Sequence, residues 1–538
     1  MLRQWFRPHW AALATVALLV IGLVHAARWT FVCDDAYISF RYAVNLAHAG
    51  ELAFNVAPLE RVEGYTNFLW VVALALGAKL GISPERGAIA LGFVAWALLL
   101  LIACGLVRVL VGQRSTVTFA VLPTAALLAA SPESVVWASS GLETSAAAAL
   151  VLAAMYAWER ERPRLAMALA GLAVLTRPDT VVPIGAWGIA WLAVQARVGS
   201  IDRARVKSWV VASAWLIVPV LGHLLWRRAY YGTWLPNTWA VKAHGAALRE
   251  SWGVAYVKAW STAMFLPWLA PLLVFVRLRV LPLLVAIAAT VAYAWSVGGD
   301  FMAYSRLLLP ATAMLAVVIG VCTGIAAETL ARRFPAHAWL VHAPIAALIL
   351  LAGALGWQAD RRFAADRAKS EGWLDGKWEG VTTMARFAEV GRAAGTWMRA
   401  HLPEDTLITV GAAGAVPYAS GLPTIDAFGL VDPFIASDPD AVPRDGRNAR
   451  PGHQLFATPD YIRSRDPDLL CHVGFRGAAP PREADARAPF RTGYTWACVA
   501  PGPGTAVAPG GGTFDPGVYC CRRPRDRIVG PFGGASDG

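Results

Sequence analysis

Apolar runs recur along the first 357 residues, near 10–27, 87–108, 115–131, 143–158, 164–176, 180–196, 208–226, 262–277, 279–297, 307–326 and 338–357. Each crosses, or nearly crosses, a hydrocarbon core about 30 Å thick, and a backbone inside lipid must satisfy its own polar groups. At 57% hydrophobic and 16% charged residues, the chain is also more apolar than a soluble globule, whose apolar share is nearer half. A polytopic α-helical membrane protein of about 11 spans is predicted. The first run ends in "VHAA", which resembles a signal-peptide cleavage site, but the runs that follow favour a signal anchor.

The formal charge of +12 falls mainly in short clusters between apolar runs. Such clusters report topology rather than a nucleic-acid face, so no nucleic-acid partner is expected. The stretch 67–81, "NFLWVVALALGAKLG", is decisive because counting it as a span inverts every later loop. Read as a helix lying along the outer surface, it leaves Arg3 and Arg7, Arg108 and Arg114, "ERERPR", the basic segment 196–208, "RLR", and Arg332 and Arg333 on the cytoplasmic side. The opposite face then collects loop 28–86, "SPESVVWASSGLET", "TRPDT", "RRAYYGTWLPNTWAVKAHG" and "GGDFMAYSR".

After residue 357 the composition turns Pro-, Gly- and Arg-rich, which divides the chain into a membrane domain, 1–357, and an extracytoplasmic soluble domain, 358–538. The latter reads as mixed α/β: helix over 383–401, strand over 406–410, and a turn, short strand and loop over 421–433, before a Gly/Pro-rich tail from about 501. Cys471, Cys498, Cys520 and Cys521 lie there, and an oxidising compartment permits disulfides in any of three pairings. Cys104 and Cys322 fall in spans and read as small apolar residues, while Cys33 has no accompanying metal-ligand spacing.

Two adjacent carboxylates, Asp34 and Asp35, follow the first apolar run. At the edge of a low-dielectric region a carboxyl gains pKa and serves as a general base. Read structurally, the pair simply caps the helix that follows. Loop 28–86 argues for function, since it continues with Arg41, Asn45, Asn55, Arg61, Glu63, Tyr65 and Asn67, more polar groups than a connector needs. Further candidates in the outer loops are Glu143, Arg177, Asp179, Tyr231, Asn237, Lys242, Asp300 and Arg306, with ion pairing at helix ends as the alternative for "RPD". The glycines of "GGD" let backbone approach a ligand, and Arg306 or Lys242 suits a phosphate.

Together, "DDAYISFRYAVNLAHAGELAFN", "ERVEGYTNFLW", "SSGLETS", "TRPD", "YYGTWLPNT" and "GGDFMAYSRLLLP" resemble the GT-C glycosyltransferases that use polyprenyl-phosphate sugars. The pattern is most similar to the terminal β-(1→2) arabinofuranosyltransferases of actinobacterial cell walls and their bacterial relatives. That resemblance implies a GT-C fold with interfacial helices in the first outer loop, and a bacterial cytoplasmic membrane location with the site outside. It implies Asp34 as the base, with Asp35 beside it to position the acceptor hydroxyl or, in some relatives, a divalent cation. The metal is left unassigned. Ala57 and Leu59 depart from the Gly-containing turn expected before Arg61.

The expected activity is transfer of a sugar, a pentofuranose such as arabinofuranose, from a polyprenyl phosphate to a cell-envelope glycan. Asp35, Glu63 and Asp300 would orient sugar hydroxyls, and Arg306 or Lys242 would stabilise the departing phosphate. Alternatives are a hexosyltransferase of the same fold acting on protein or lipopolysaccharide, a lipid-linked sugar flippase, and a non-catalytic assembly protein.

Overall fold

The computed structural model describes residues 7–112, 117–243, 246–334, 343–369, 373–374, 378–438, 440–441, 450–451, 453, 455–509 and 511–533. Arg3, Arg114 and the start of the last apolar run, 338–342, lie outside the described residues. Two compact units emerge, each assembled from three stretches of chain: Met1–Thr30, Ala88–Trp226 and Arg249–Ala368 form the first, and Phe31–Gly87, Arg227–Leu248 and Lys369–Gly538 the second. The first long loop therefore belongs to the same unit as the C-terminal domain, a partition that hydropathy cannot reveal.

The first unit is helical. Helix Leu309–Arg333 runs through its interior and packs against Val117–Ala130, Leu281–Ser296 and Thr144–Glu159. At Gly320 a Cβ would stand 2.2 Å from Thr124 Oγ1 and 2.7 Å from the Ala120 carbonyl oxygen, so only glycine allows this approach. Helix Arg203–Tyr231 is the opposite case, with Val210, Trp215, Ile217 and Val218 all exposed. An uncovered apolar face of this size has lipid as its solvent.

Among the described residues four helices are long and apolar enough to cross a membrane: Trp10–Arg28, Pro84–Val111, Arg203–Tyr231 and Arg306–Leu330. A fifth crossing is available if Ala120–Ala130 and Pro132–Ala138, bent by 74°, count as one. Several of the remaining predicted runs form shorter helices, such as Thr144–Glu159, Pro163–Thr176, Val181–Arg197 and Leu281–Ser296. The run 262–277 is broken into helix Leu266–Leu269 and a 3-10 stretch, Ala270–Phe275, because Pro267 and Pro271 interrupt the hydrogen-bond ladder. The stretch 67–81 forms helix Phe68–Lys79, whose 12 residues span about 18 Å, too short to cross.

In the second unit, helix Asp34–His48 packs against Phe68–Lys79 and against the short helix Ala415–Ser420, which in turn lies on helix Val381–His401. The expected strand and turn segments join a five-stranded mixed sheet. Its strands are β1 (Ile408–Val410), β2 (Thr424–Asp426), β3 (Leu469–Gly477), β4 (Tyr494–Val499) and β5 (Val518–Pro524), in the order β2-β1-β3-β5-β4. Strand β1 pairs in parallel with both β2 and β3, while β5 pairs antiparallel with β3 and β4. Ile425, Leu470, Val473 and Phe490 lie in the core beneath. Of the three possible cysteine pairings, Cys471–Cys521 and Cys498–Cys520 form, each stapling β5 to a different neighbour. The chain is thus a polytopic α-helical membrane protein with a C-terminal mixed α/β domain.

Candidate active site

Helix Asp34–His48 begins with Cys33 at the N-cap, so Asp34 and Asp35 occupy its first turn and neither caps it. Both are half-buried. What holds Asp34 comes from far along the chain: the backbone N–H of Ala415 donates to Asp34 Oδ1 at 2.9 Å. Gly414, just before it, lies so close that a Cβ would meet the Asp34 carbonyl oxygen at 2.1 Å and Oδ2 at 2.4 Å. This turn follows β1, at the carboxyl end of a parallel strand, where α/β sheets commonly place their sites. Burial pushes the Asp34 carboxyl up to about 6, against the Ala415 hydrogen bond, and neighbouring Asp35 adds to the rise. A carboxylate poised near neutrality accepts a proton more readily than an ordinary one.

The other candidates of the first loop bind protein. Arg41, 6% exposed, gives Nε to the Phe54 carbonyl, Nη1 to that of Pro417, and Nη2 to Leu422 O and Asn55 Oδ1. Asn55 exchanges two hydrogen bonds with the Thr424 backbone, and Asn45 donates to Ala53 and Phe54. Asn67 pairs with Ser39, Glu63 with Arg227 at 2.6 Å, and Tyr65 with Tyr231 at 3.3 Å. Arg61 is within 3.5 Å of Glu51 and stacks over Tyr230. Asn237 donates to the carbonyls of Gly429, Leu430 and Asp432. These contacts fasten the loop around Asp34 to the C-terminal sheet. Lys242 lies on helix Asn237–Ala243, with its side chain outside the described residues.

Glu143, Arg177, Asp179, Asp300 and Arg306 belong to the first unit and form a second cluster. Arg177 grips Asp179 through two bonds, at 3.0 and 2.7 Å, and reaches Glu143 at 2.9 Å. Burial works to raise the Asp179 carboxyl, but Arg177 outweighs it and holds the group below its ordinary value. Arg306 pairs with Asp300. Tyr304 and Ser305, just before it, both have positive φ, a strained conformation for residues with a Cβ and one that recurs at functional sites. A cleft opens here, lined by Thr144, Arg177, Asp179, Thr290, Tyr293 and Arg306. Of its two guanidiniums, Arg177 is paired with Asp179 and Glu143, and Arg306 with Asp300.

The segment 131–144, read from sequence as a surface loop, is buried throughout. Several of its polar groups find protein partners: Ser134 accepts from Trp96, the Trp137 indole donates to the Tyr304 carbonyl, and Glu133 pairs with Arg362 at 2.6 Å. Sequence reasoning also missed Gly414 and Ala415. The stretch "GAAGAVPYAS" has no acidic or basic side chain, and its contribution to Asp34 is a backbone N–H. No group of three or more His, Cys, Asp or Glu side chains that could hold a metal occurs among the described residues, and the acidic pair alone is not a ligand set.

Residues 380–507 match a family described as a domain of unknown function, DUF8728. No curated protein matches the chain in sequence. Among solved structures, ArnT from Cupriavidus metallidurans in the apo state superposes with a TM-score of 0.53 at 13% identity, covering 78% of this chain and 85% of that one. The same protein bound to undecaprenyl phosphate gives 0.50 at 14% identity, covering 78% and 86%. At this identity the likeness shows the fold, which is the GT-C architecture that the motifs imply.

Proposed function

We propose that the chain is an integral membrane glycosyltransferase that moves a sugar, specifically a pentofuranose such as arabinofuranose, from a polyprenyl phosphate to a cell-envelope glycan. Asp34 takes the proton of the acceptor hydroxyl as its oxygen bonds to the anomeric carbon. The bond from that carbon to the phosphate oxygen breaks, and the polyprenyl phosphate leaves with the electron pair. Asp35 orients the acceptor hydroxyl. No step is routed through a metal.

The observation that carries this reading is Asp34: a carboxyl lifted to about 6, fixed by a backbone donor and set on a fold otherwise seen in a protein crystallised with undecaprenyl phosphate. Two disulfides in the C-terminal unit support an oxidising, extracytoplasmic setting in a bacterial cytoplasmic membrane. The test supplies the purified full chain in lipid with radiolabelled polyprenyl-phosphate arabinofuranose, or with a hexose counterpart, and a synthetic oligoarabinan acceptor. Transfer from the pentose donor is expected. Transfer from the hexose donor alone removes the pentose assignment, and transfer from neither removes the enzyme reading.

A further inference from the structure

Of everything packed around Asp34, one contact is positioned to control its chemistry while lying outside the sequence motifs. We infer that the Gly414–Ala415 turn of the C-terminal domain is a positioning element of the active site, holding the Asp34 carboxylate through the Ala415 N–H. This inference rests on the reading of Asp34 as the base, and the experiment below separates the two.

Three features of the geometry support it. The bond is made to a half-buried carboxylate, so it is charge-assisted when Asp34 is ionised and weaker when Asp34 is protonated. Residue 414 has no space for a side chain, because a Cβ would overlap both the backbone and the carboxylate of Asp34. The turn itself is braced: Ala415 and Val416 are buried against Gly391 of helix Val381–His401, and the Pro417 carbonyl accepts from Arg41. Arg41 lies two helical turns beyond Asp34, so the same short segment is bonded to the Asp34 helix at two points. Such a double tether fixes rotation of the helix as well as the rotamer of its first carboxylate.

A base that accepts a proton from the acceptor must ionise and point at that hydroxyl. The N–H favours the ionised form and engages Oδ1. The charged groups that bear on Asp34 are Asp35 on its own helix and Arg476 on β3. On helix Val381–His401, Glu389 and Arg392 pair with each other. Helix Phe68–Lys79 carries only Lys79, at its last residue, and Ala415–Ser420 carries no charge. Arg476 and the Gly414 backbone also favour the ionised form, but the Ala415 N–H is the strongest of these influences, so removing it should raise the Asp34 midpoint.

Ala415→Pro deletes only that donor, at the first position of a helix, where proline is best tolerated. In the full chain in lipid, the pH dependence of Asp34 esterification by a diazo reagent, which attacks the protonated carboxyl, reads the midpoint directly by mass spectrometry. A midpoint higher by about one unit or more is expected in Ala415→Pro. Ala415→Gly, which keeps the N–H, should retain the wild-type midpoint. Gly414→Ala forces Asp34 aside and should move the midpoint and lower kcat about a hundredfold with KM little changed.

If neither Ala415→Pro nor Gly414→Ala moves the midpoint, the positioning role is overturned, whatever the transfer assay shows. If the midpoint moves but Asp34→Asn retains transfer, the positioning contact stands and the base assignment falls.

Discussion

Asp34 and Asp179 are both carboxylates removed from bulk water, and their surroundings drive them in opposite directions. Asp179 meets a guanidinium through two hydrogen bonds, which overrides burial and keeps it ionised. Asp34 meets neutral backbone donors, an acidic neighbour and Arg476 as a weaker influence, so burial wins and the carboxyl rises to about 6. A full positive charge at contact distance outweighs desolvation, whereas neutral backbone donors only moderate it. The first arrangement builds a permanent ion pair and the second a group that can exchange protons near neutrality. A paired guanidinium thus marks structural charge here, and backbone donors mark the candidate base.

The sharpest way to break this contrast is to remove the guanidinium. Arg177→Met should remove the guanidinium that Asp179 and Glu143 share and cost about 3 to 5 kcal/mol, read as a large fall in melting temperature at neutral pH. Acidification should relieve part of the loss by protonating Asp179, and an unchanged melting temperature would contradict the pairing. Adding Asp179→Asn and Glu143→Gln to Arg177→Met should recover most of the loss, since the penalty lies in unpaired charge rather than in lost contacts.

Asp34→Asn should act in the other direction. Because the folded-state value, about 6, is raised above the ordinary 3.8, ionisation opposes folding. The stability available with the neutral acid is full below about 3.8 and lost as pH rises through about 6. Neutralising the group should therefore stabilise the protein above pH 6, by up to about 3 kcal/mol, and have little effect near pH 3. A destabilised variant at pH 8 would argue that Asp34 is ion-paired like Asp179. The smallest effect belongs to an ion pair whose guanidinium stands in solvent: Arg332, 77% exposed, pairs with the more covered Glu328, and Arg332→Ala should cost no more than about 0.5 kcal/mol.

The membrane character, the acidic pair, the helix over 383–401 and the strand ending at Val410 were legible because hydropathy and periodicity are local signals. What stayed hidden depends on residues far apart in the chain. Arg41 reads as a ligand-binding cation, yet its donors serve Phe54, Asn55, Pro417 and Leu422, more than three hundred residues away in two cases. The segment 131–144 reads as a polar loop, yet it is interior, because Trp96, Tyr304, Arg177 and Arg362 supply the partners that water would otherwise provide. The run 262–277 reads as a span on composition, while Pro267 and Pro271 decide its backbone. Most telling is Ala415, whose contribution to Asp34 is a group every residue but proline carries.

The most direct test of the base assignment is the initial rate of pentosyl transfer against pH, from about 4.5 to about 9, for wild type and Asp34→Asn in lipid. Wild type should show an acid limb with a midpoint near 6, and Asp34→Asn should be slower by about a hundredfold or more with that limb gone. An Asp34→Asn enzyme that keeps the wild-type rate and acid limb would contradict the account and return Asp34 to a structural place at the start of its helix.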